Sequence, residues 1–166
     1  MSSYNAREII RMGVEIEKNG EQFYREAAQK HSNSTIHDIL LNLANWEVNH
    51  AQLFEKLAEK LPAEPERADH IFDTEDLSFK YVKAAADSHI FIKNSNMTTL
   101  VETCNTPADV LSMALTFEKD SVVLYQSMLD NMKHSDYEGK SYIKEIAQEE
   151  LKHVAIIQES LEQYTT

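Results

Sequence analysis

Hydrophobic residues recur every three or four positions along four long stretches of the chain, which is the spacing of an amphipathic α-helix. The pattern predicts helices over about 5–31, 34–61, 107–132 and 136–164. No alternating apolar and polar run typical of a strand stands out, and the chain contains only three Gly and three Pro. The sequence therefore predicts an all-α protein with one domain over 1–166.

In the second and fourth helices, a Glu and a His stand where the inward stripe would otherwise place Leu or Ile. The stripe of the second helix reads Ile36, Leu40, Leu43, Glu47, His50, Phe54, Leu57 and Leu61. That of the fourth reads Ile143, Ile146, Glu150, His153, Ile157, Leu161 and Tyr164. A Glu and a His three residues apart share one helix face, so both can reach one metal ion. One pair is weak evidence in a Glu-rich chain, but two pairs in core positions indicate carboxylates that are neutralised, paired or metal-bound.

The inward stripes of the first and third helices each contain one charged residue. The first reads Ile9, Gly13, Ile16, Glu17, Gly20, Phe23, Tyr24 and Ala27. The third reads Val110, Ala114, Phe117, Glu118, Ser121, Leu124, Tyr125, Met128 and Met132. Glu17 and Glu47 each lie 15 residues from the turn near position 32, and Glu118 and Glu150 each lie 16 from position 134. In an antiparallel hairpin, the two carboxylates of each pair therefore lie at the same level.

The two halves of the chain resemble each other. Glu17 followed by Tyr24 matches Glu118 followed by Tyr125, and each half then has an E-x-x-H in its next helix, which indicates a duplicated helical hairpin. Four inward carboxylates at one level cannot all be ionised without cations, and two divalent ions would balance them. Ligation by many oxygens with one His per ion suits iron or manganese.

Between the two hairpins, the segment 62–105 breaks the pattern. A short helix is predicted over about 74–87, and one or two further turns within 89–105. The residues predicted to face inward are Leu77, Val82 and Ala85 or Ala86. A connection of this length is too long for adjacent antiparallel helices and suits a crossover along a bundle.

Polar residues mark the helix starts. Asn5 is a favoured N-cap for the first helix, and the turn over 32–34 supplies N-cap candidates for the second. Thr106 as N-cap with Pro107 at the first helical position is a strong start for the third helix.

Several residues outside the repeat carry side chains that can bind metal or shape a site. His70, His89 and Cys104 lack spaced partners, and isolated residues of this kind are usually found at the surface or in packing. Gly13 and Gly20 indicate close helix packing; the alternative is that Gly20 leaves room for a ligand or for a moving carboxylate. Glu21 is expected to be solvated rather than a labile ligand, and Trp46 is expected to serve packing.

With these residues the chain resembles the ferritin-like di-iron carboxylate proteins, most closely the rubrerythrin-like branch, whose signature is one Glu per helix with E-x-x-H on the second and fourth. The resemblance implies a ferritin-like four-helix bundle of two duplicated antiparallel hairpins with a long, helix-containing crossover. It implies two iron ions, with manganese or zinc as substitutes. The implied ligands are Glu17, Glu47, His50, Glu118, Glu150 and His153. Glu47 and Glu150 would bridge the ions, with Glu17 and Glu118 as terminal ligands.

The chain departs from relatives at three points. Rubrerythrins carry a further Glu where Ser121 stands, and a rubredoxin domain with paired Cys that Cys104 alone cannot supply. Electrons are therefore expected from an external donor such as a rubredoxin-like protein, or from substrate iron. Val48 replaces the haem-ligating Met of bacterioferritin, so no haem is expected. Tyr24 and Tyr125 resemble hydrogen-bond donors to ligand carboxylates that could also donate electrons; the alternative is core aromatics with local hydroxyl bonds.

The composition limits the partners. A net charge of -12, from 28 acidic and 16 basic residues, argues against binding to nucleic acid or to an anionic membrane. The single cysteine, with no signal-type stretch and no apolar run of membrane-spanning length, predicts a cytoplasmic protein.

The expected function is that of a di-iron oxidoreductase, a peroxidase or ferroxidase in which ferrous iron reduces hydrogen peroxide or dioxygen, with a role in oxidative stress or iron homeostasis. The alternatives are a ferritin-like iron-storage subunit and a metal-free binding module. A long crossover, and no evident fifth helix after Tyr164, favour a homodimer over a storage cage.

Overall fold

The computed structural model describes residues 6–63, 72–73, 77–93, 96–133 and 137–164. The helices are α1 (Ala6–Lys30), α2 (His37–Lys60), α3 (Leu77–Ser88), α4 (Ile90–Lys93), α5 (Met97–Thr103), α6 (Pro107–Asn131) and α7 (Tyr137–Glu162). Within these ranges the only extended pairing is an isolated bridge between Phe72 and Met132. The predicted all-α class is confirmed.

The four long helices form a bundle in which neighbours are antiparallel. α1 packs along α2 and α6 along α7. Arg7, at the start of α1, donates to the carbonyl of Pro62, just after the end of α2, at 2.6 Å. At the same end of the bundle, Lys60 of α2 forms a salt bridge with Glu138 of α7. These contacts make α2 antiparallel to both α1 and α7.

The connection between α2 and α6 runs along the bundle, as predicted. Near its beginning, the amide of Asp73 donates to the side chain of Asn131 at the end of α6, at 3.2 Å. Near its other end, Lys30 at the end of α1 donates to the carbonyl of Val101 at 3.0 Å. Because α1 and α6 are antiparallel, these two contacts lie at opposite ends of the bundle. α3 packs mainly on α6.

The predicted inward stripes of α1, α2 and α6 are buried along their whole length. Two expectations elsewhere are wrong. Leu77 is 76% exposed, because it lies on the opposite side of α3 from the face formed by Phe79, Val82 and Ala86. Tyr164 is 39% exposed, because α7 has already ended at Glu162.

The helix starts follow the predictions in part. Thr106 forms a capping box with Asp109, accepting from its amide at 3.1 Å, and Pro107 occupies the first turn as expected. α2 begins at His37 rather than near 34, and its N-cap, Ile36, offers no side-chain cap. The preceding residues instead form a tight turn in which the amide of His37 donates to the carbonyl of Ser34 at 3.1 Å. Asn5, His70 and the turn at 134–136 lie outside the described residues.

The helices of the described ranges show no membrane-spanning segment. None of them combines the length and the hydropathy needed to cross a bilayer.

Candidate metal centre

All six predicted ligands converge on the middle of the bundle, and all are buried. Two clusters can be distinguished, in each of which one ligand atom per residue lies within 4.8 Å of the others. The first cluster consists of Glu17, Glu47, His50 and Glu150. The second consists of Glu47, Glu118, Glu150 and His153. Glu47 and Glu150 belong to both clusters, which are the positions where the resemblance implies bridging carboxylates.

Both histidines turn the same ring nitrogen toward the carboxylates. Nδ1 of His50 lies 3.2 Å from Oε1 of Glu150 and 3.5 Å from Oε2 of Glu17. Nδ1 of His153 lies 2.8 Å from Oε2 of Glu150 and 3.5 Å from Oε2 of Glu118. The two rings stack with centroids 5.6 Å apart. The E-x-x-H spacing on α2 and α7 therefore places two equivalent imidazole nitrogens beside the shared carboxylates.

Most of the inward-facing ligand atoms lack hydrogen-bond partners; the exception is the pair formed by Nδ1 of His153 and Oε2 of Glu150, which lie 2.8 Å apart. The buried atoms without one are Oε2 of Glu17, both carboxylate oxygens of Glu47, Nδ1 of His50, Oε2 of Glu118 and Oε1 of Glu150. Burying a polar atom without a partner is costly, and buried charges in proteins are usually paired or bound to metal. Three carboxylates and one imidazole per cluster are a donor set that suits iron or manganese. The residues therefore fit two divalent ions.

The ionisation of these groups shows how crowded the negative charge is. Burial and the charge of Glu150 raise the pKa of Glu47 and that of Glu118 well above the ordinary value. Burial by itself would lower the pKa of both histidines, but the carboxylates outweigh it and raise the pKa of His50 to about 12 and that of His153 to about 9. Burial by itself would raise the pKa of Glu150, but the hydrogen bonds and charges of the two imidazoles outweigh burial and hold this pKa below its ordinary value. In the absence of cations, protons therefore neutralise the site.

Two tyrosines connect the hairpins at the level of the site. The hydroxyl of Tyr24 in α1 donates to Oε1 of Glu118 in α6 at 2.5 Å. The hydroxyl of Tyr125 in α6 donates to Oε1 of Glu17 in α1. Burial and the neighbouring carboxylates raise the pKa of both phenols well above the ordinary value, so both are neutral donors. Of the two interpretations, the geometry supports donors to the carboxylates over local hydroxyl bonds.

Glycines allow aromatic rings to approach α1 closely. A Cβ at Gly13 would lie 2.8 Å from the ring of Phe54. A Cβ at Gly20 would lie 2.9 Å from the ring of Phe117 and 3.3 Å from Cγ of Glu47. The space at both positions is filled, so close packing explains both, as expected.

The residues expected to lie outside the site do so where the structure describes them. His89 is buried between α3 and α4, where Nε2 lies 3.1 Å from Oγ of Ser121, and burial lowers its pKa to about 4. Cys104 is buried, with Sγ 3.5 Å from the carbonyl of Leu100. Neither belongs to a cluster. Glu21 pairs with Arg25 at 2.7 Å. Trp46, which was expected to serve packing, is 44% exposed, and its ring lies 6.1 Å from that of His153.

Glu149 was not predicted from the sequence. Its Oε2 lies 2.9 Å from Nε2 of His50, on the side of the ring opposite the site. The signal was its place directly before Glu150 on a helix that packs against α2, but an acidic residue there is indistinguishable from the solvated Glu residues around it.

The comparisons with known proteins identify the family and the fold of the chain. The rubrerythrin family model matches residues 8–97, more than half of the 166 residues. The chain belongs to the rubrerythrin family. A protein of Thermotoga maritima described as a ferritin-like diiron-carboxylate protein superposes on this rubrerythrin-family chain with a TM-score of 0.67, at 22% identity and over 99% of both chains. That likeness confirms the predicted ferritin-like fold. No curated protein sequence matches the chain.

Proposed function

We propose that this rubrerythrin-family chain binds two iron ions, one in each cluster, and uses them to reduce hydrogen peroxide or dioxygen. The observation that carries the proposal is the set of buried ligand atoms without partners, contributed by four helices, with two carboxylates common to both clusters. Manganese or zinc could occupy the same donors.

The protein itself would position the metal ligands, provide neutral hydroxyl groups that donate hydrogen bonds to them, and exclude water. When bound, ferrous iron supplies electrons and Lewis acidity. Tyr24 and Tyr125 hold the terminal carboxylates in place with their hydroxyl protons. The rings of Phe54 and Phe117 are fully buried in the same core as the carboxylates and would help to keep bulk water away. Reduction of one peroxide to two waters takes up two electrons and two protons, so a reductant must restore the ferrous state.

The proposal includes an electron donor and a second copy of the chain as partners. The reductant would be an external donor such as a rubredoxin-like protein, or ferrous iron itself. We propose a homodimer that acts in the cytoplasm. The alternative, a ferritin-like storage subunit, would form a much larger particle, so light scattering on the iron-loaded protein distinguishes the two.

The test is peroxide consumption by protein loaded with Fe²⁺ under anaerobic conditions, in the presence of an artificial reductant, together with elemental analysis. We expect two iron ions per chain and turnover that requires them. Glu47→Gln removes a carboxylate shared by both clusters and should abolish iron-dependent turnover. Glu55→Gln, on the same helix but exposed in a salt bridge with Lys18, is the matched control and should retain it. Iron-loaded protein without turnover would refute the oxidoreductase, whereas protein that binds no iron would refute the metal centre.

A further inference from the structure

The two clusters have the same types of ligand, three carboxylates and one imidazole each, but different surroundings. His50, in the first cluster, uses both ring nitrogens: Nδ1 faces the carboxylates of Glu17 and Glu150, and Nε2 lies 2.9 Å from Oε2 of Glu149. The side chain of Glu149 is 18% exposed, so solvent screens this pair only in part. The imidazole is thus held between the cluster on one side and a carboxylate on the other.

Among the residues that the structure describes, His153, in the second cluster, has no such partner. In the repeat, Trp46 occupies the position that corresponds to Glu149, since each directly precedes the Glu of an E-x-x-H. The ring of Trp46 lies 6.1 Å from that of His153, and an indole has no acceptor for a ring N–H. Within the described ranges, no carboxylate lies at hydrogen-bonding distance from Nε2 of His153.

The tyrosines and the shared carboxylates do not distinguish the two clusters. Each terminal carboxylate accepts a hydrogen bond from a tyrosine of the other hairpin, Glu118 from Tyr24 and Glu17 from Tyr125. The other two carboxylates are common to both clusters. The exchange of a carboxylate for an indole beside the imidazole is therefore the main asymmetry of the centre.

This asymmetry has a chemical consequence. A carboxylate that accepts from Nε2–H fixes the tautomer in which the lone pair of Nδ1 points to the metal, and it makes the imidazole a more basic ligand. Removing such a partner typically lowers metal affinity by about 10–100-fold. We propose that Glu149 is a positioning residue that makes the first cluster the tighter of two unequal metal sites. The inference rests on the two-metal centre proposed above.

A titration with Mn²⁺, followed by the electron paramagnetic resonance signal of the free ion, tests this directly. We expect two ions per wild-type chain with two distinct affinities. Glu149→Gln should weaken the tighter site about 10–100-fold and leave the weaker one unchanged. Glu145→Gln is the matched control, because it removes the same charge from an exposed position one turn earlier on α7. Helical circular dichroism of both variants reports on folding.

A second measurement does not depend on a variant. In ¹⁵N-labelled protein loaded with Zn²⁺, the Nε2–H proton of His50 should exchange slowly and resonate downfield, whereas that of His153 should exchange quickly. Three outcomes would overturn the inference while leaving the two-metal centre intact. They are two Mn²⁺ sites of equal affinity, a Glu149→Gln isotherm identical to that of Glu145→Gln, and equal exchange rates of the two imidazole protons. Protein that binds no Mn²⁺ or Zn²⁺ would refute the metal centre itself.

Discussion

Tyr24 of the first hairpin donates a 2.5 Å hydrogen bond to Glu118 of the second. The repeat returns the contact, because Tyr125 of the second hairpin donates to Glu17 of the first. Each tyrosine therefore orients a carboxylate that its own hairpin does not provide. The bonds join the two halves of the duplicated chain at the level where the candidate ligands meet.

Removing one of these hydroxyls should destabilise the protein. Tyr24→Phe leaves a buried oxygen of Glu118 without its donor, which we expect to lower the free energy of unfolding by about 1–3 kcal/mol. Tyr142→Phe is the control, because its hydroxyl bonds to Glu138 on the exposed surface. Urea unfolding of the metal-free proteins measures both. Equal losses in the two variants would show that the buried bond has no special role.

Metal removal should also lower stability. Chelation leaves the four carboxylates facing one another, whereas an ion that binds only the folded state stabilises it by about 2.7 kcal/mol at a concentration 100 times its Kd. We expect the Tm to fall on chelation and to recover when Fe²⁺ or Mn²⁺ is added. Glu47→Gln should show a much smaller change on chelation. A wild-type Tm that does not respond to chelation would contradict the positions assigned to the ligands.

Metal uptake should release protons. The pKa values of His50 and His153 are raised to about 12 and about 9, so both imidazoles carry a proton near neutral pH in the metal-free protein. Because a metal ligand must be deprotonated, binding displaces these protons and the affinity should rise with pH. Calorimetric titration with Mn²⁺ in buffers of different ionisation enthalpy counts the protons released. Binding heats that do not depend on the buffer would contradict this account.

Two glycines of α1 offer a paired test of packing at the site. Gly13→Ala and Gly20→Ala each place a Cβ under 3.0 Å from an aromatic ring. Overpacking of this kind typically costs about 1–3 kcal/mol, offset by roughly 1 kcal/mol of helix propensity, so both variants should be slightly less stable. Only Gly20→Ala also displaces Glu47, so it alone should weaken Mn²⁺ binding. Equal Mn²⁺ affinities in the two variants would contradict the contact with Glu47.

Periodicity placed the candidate ligands in the core because each replaces a core residue in a long, regular stripe, and the family resemblance then implied their role as metal ligands. Glu47 and His50 occupy two of eight positions of three-and-four spacing, so the pattern alone indicated that both side chains are buried, as they are. The buried face of the short crossover helix was harder to predict, because a few turns of sequence are compatible with more than one buried face. Leu77 was predicted to face inward and is exposed. The role of Glu149 depends on which helix packs beside it, which no local pattern contains.

His89, which is not one of the candidate ligands, provides a pH-dependent test of the buried core. Burial lowers the pKa of His89 to about 4, from an ordinary value of 6.5 in the unfolded chain. Between these two pH values the unfolded state binds a proton that the folded state does not. The contribution of His89 to the free energy of unfolding is therefore fully present above about pH 6.5, decreases as the pH falls, and changes no further below about pH 4. The shift corresponds to a loss of about 3 kcal/mol.

Replacing His89 should remove this component of the acid sensitivity. In His89→Gln, unfolding free energies measured by urea denaturation from pH 7 to 4 should decline less steeply than in the wild type, by about 3 kcal/mol over the range. His37→Gln, at a partly exposed position at the start of α2, is the control and should follow the wild type. All three proteins contain the same carboxylates, so the difference between the curves reports the loss of His89 together with its interaction with the charge of Glu150. Parallel curves for the wild type and His89→Gln would mean that the buried imidazole does not resist protonation.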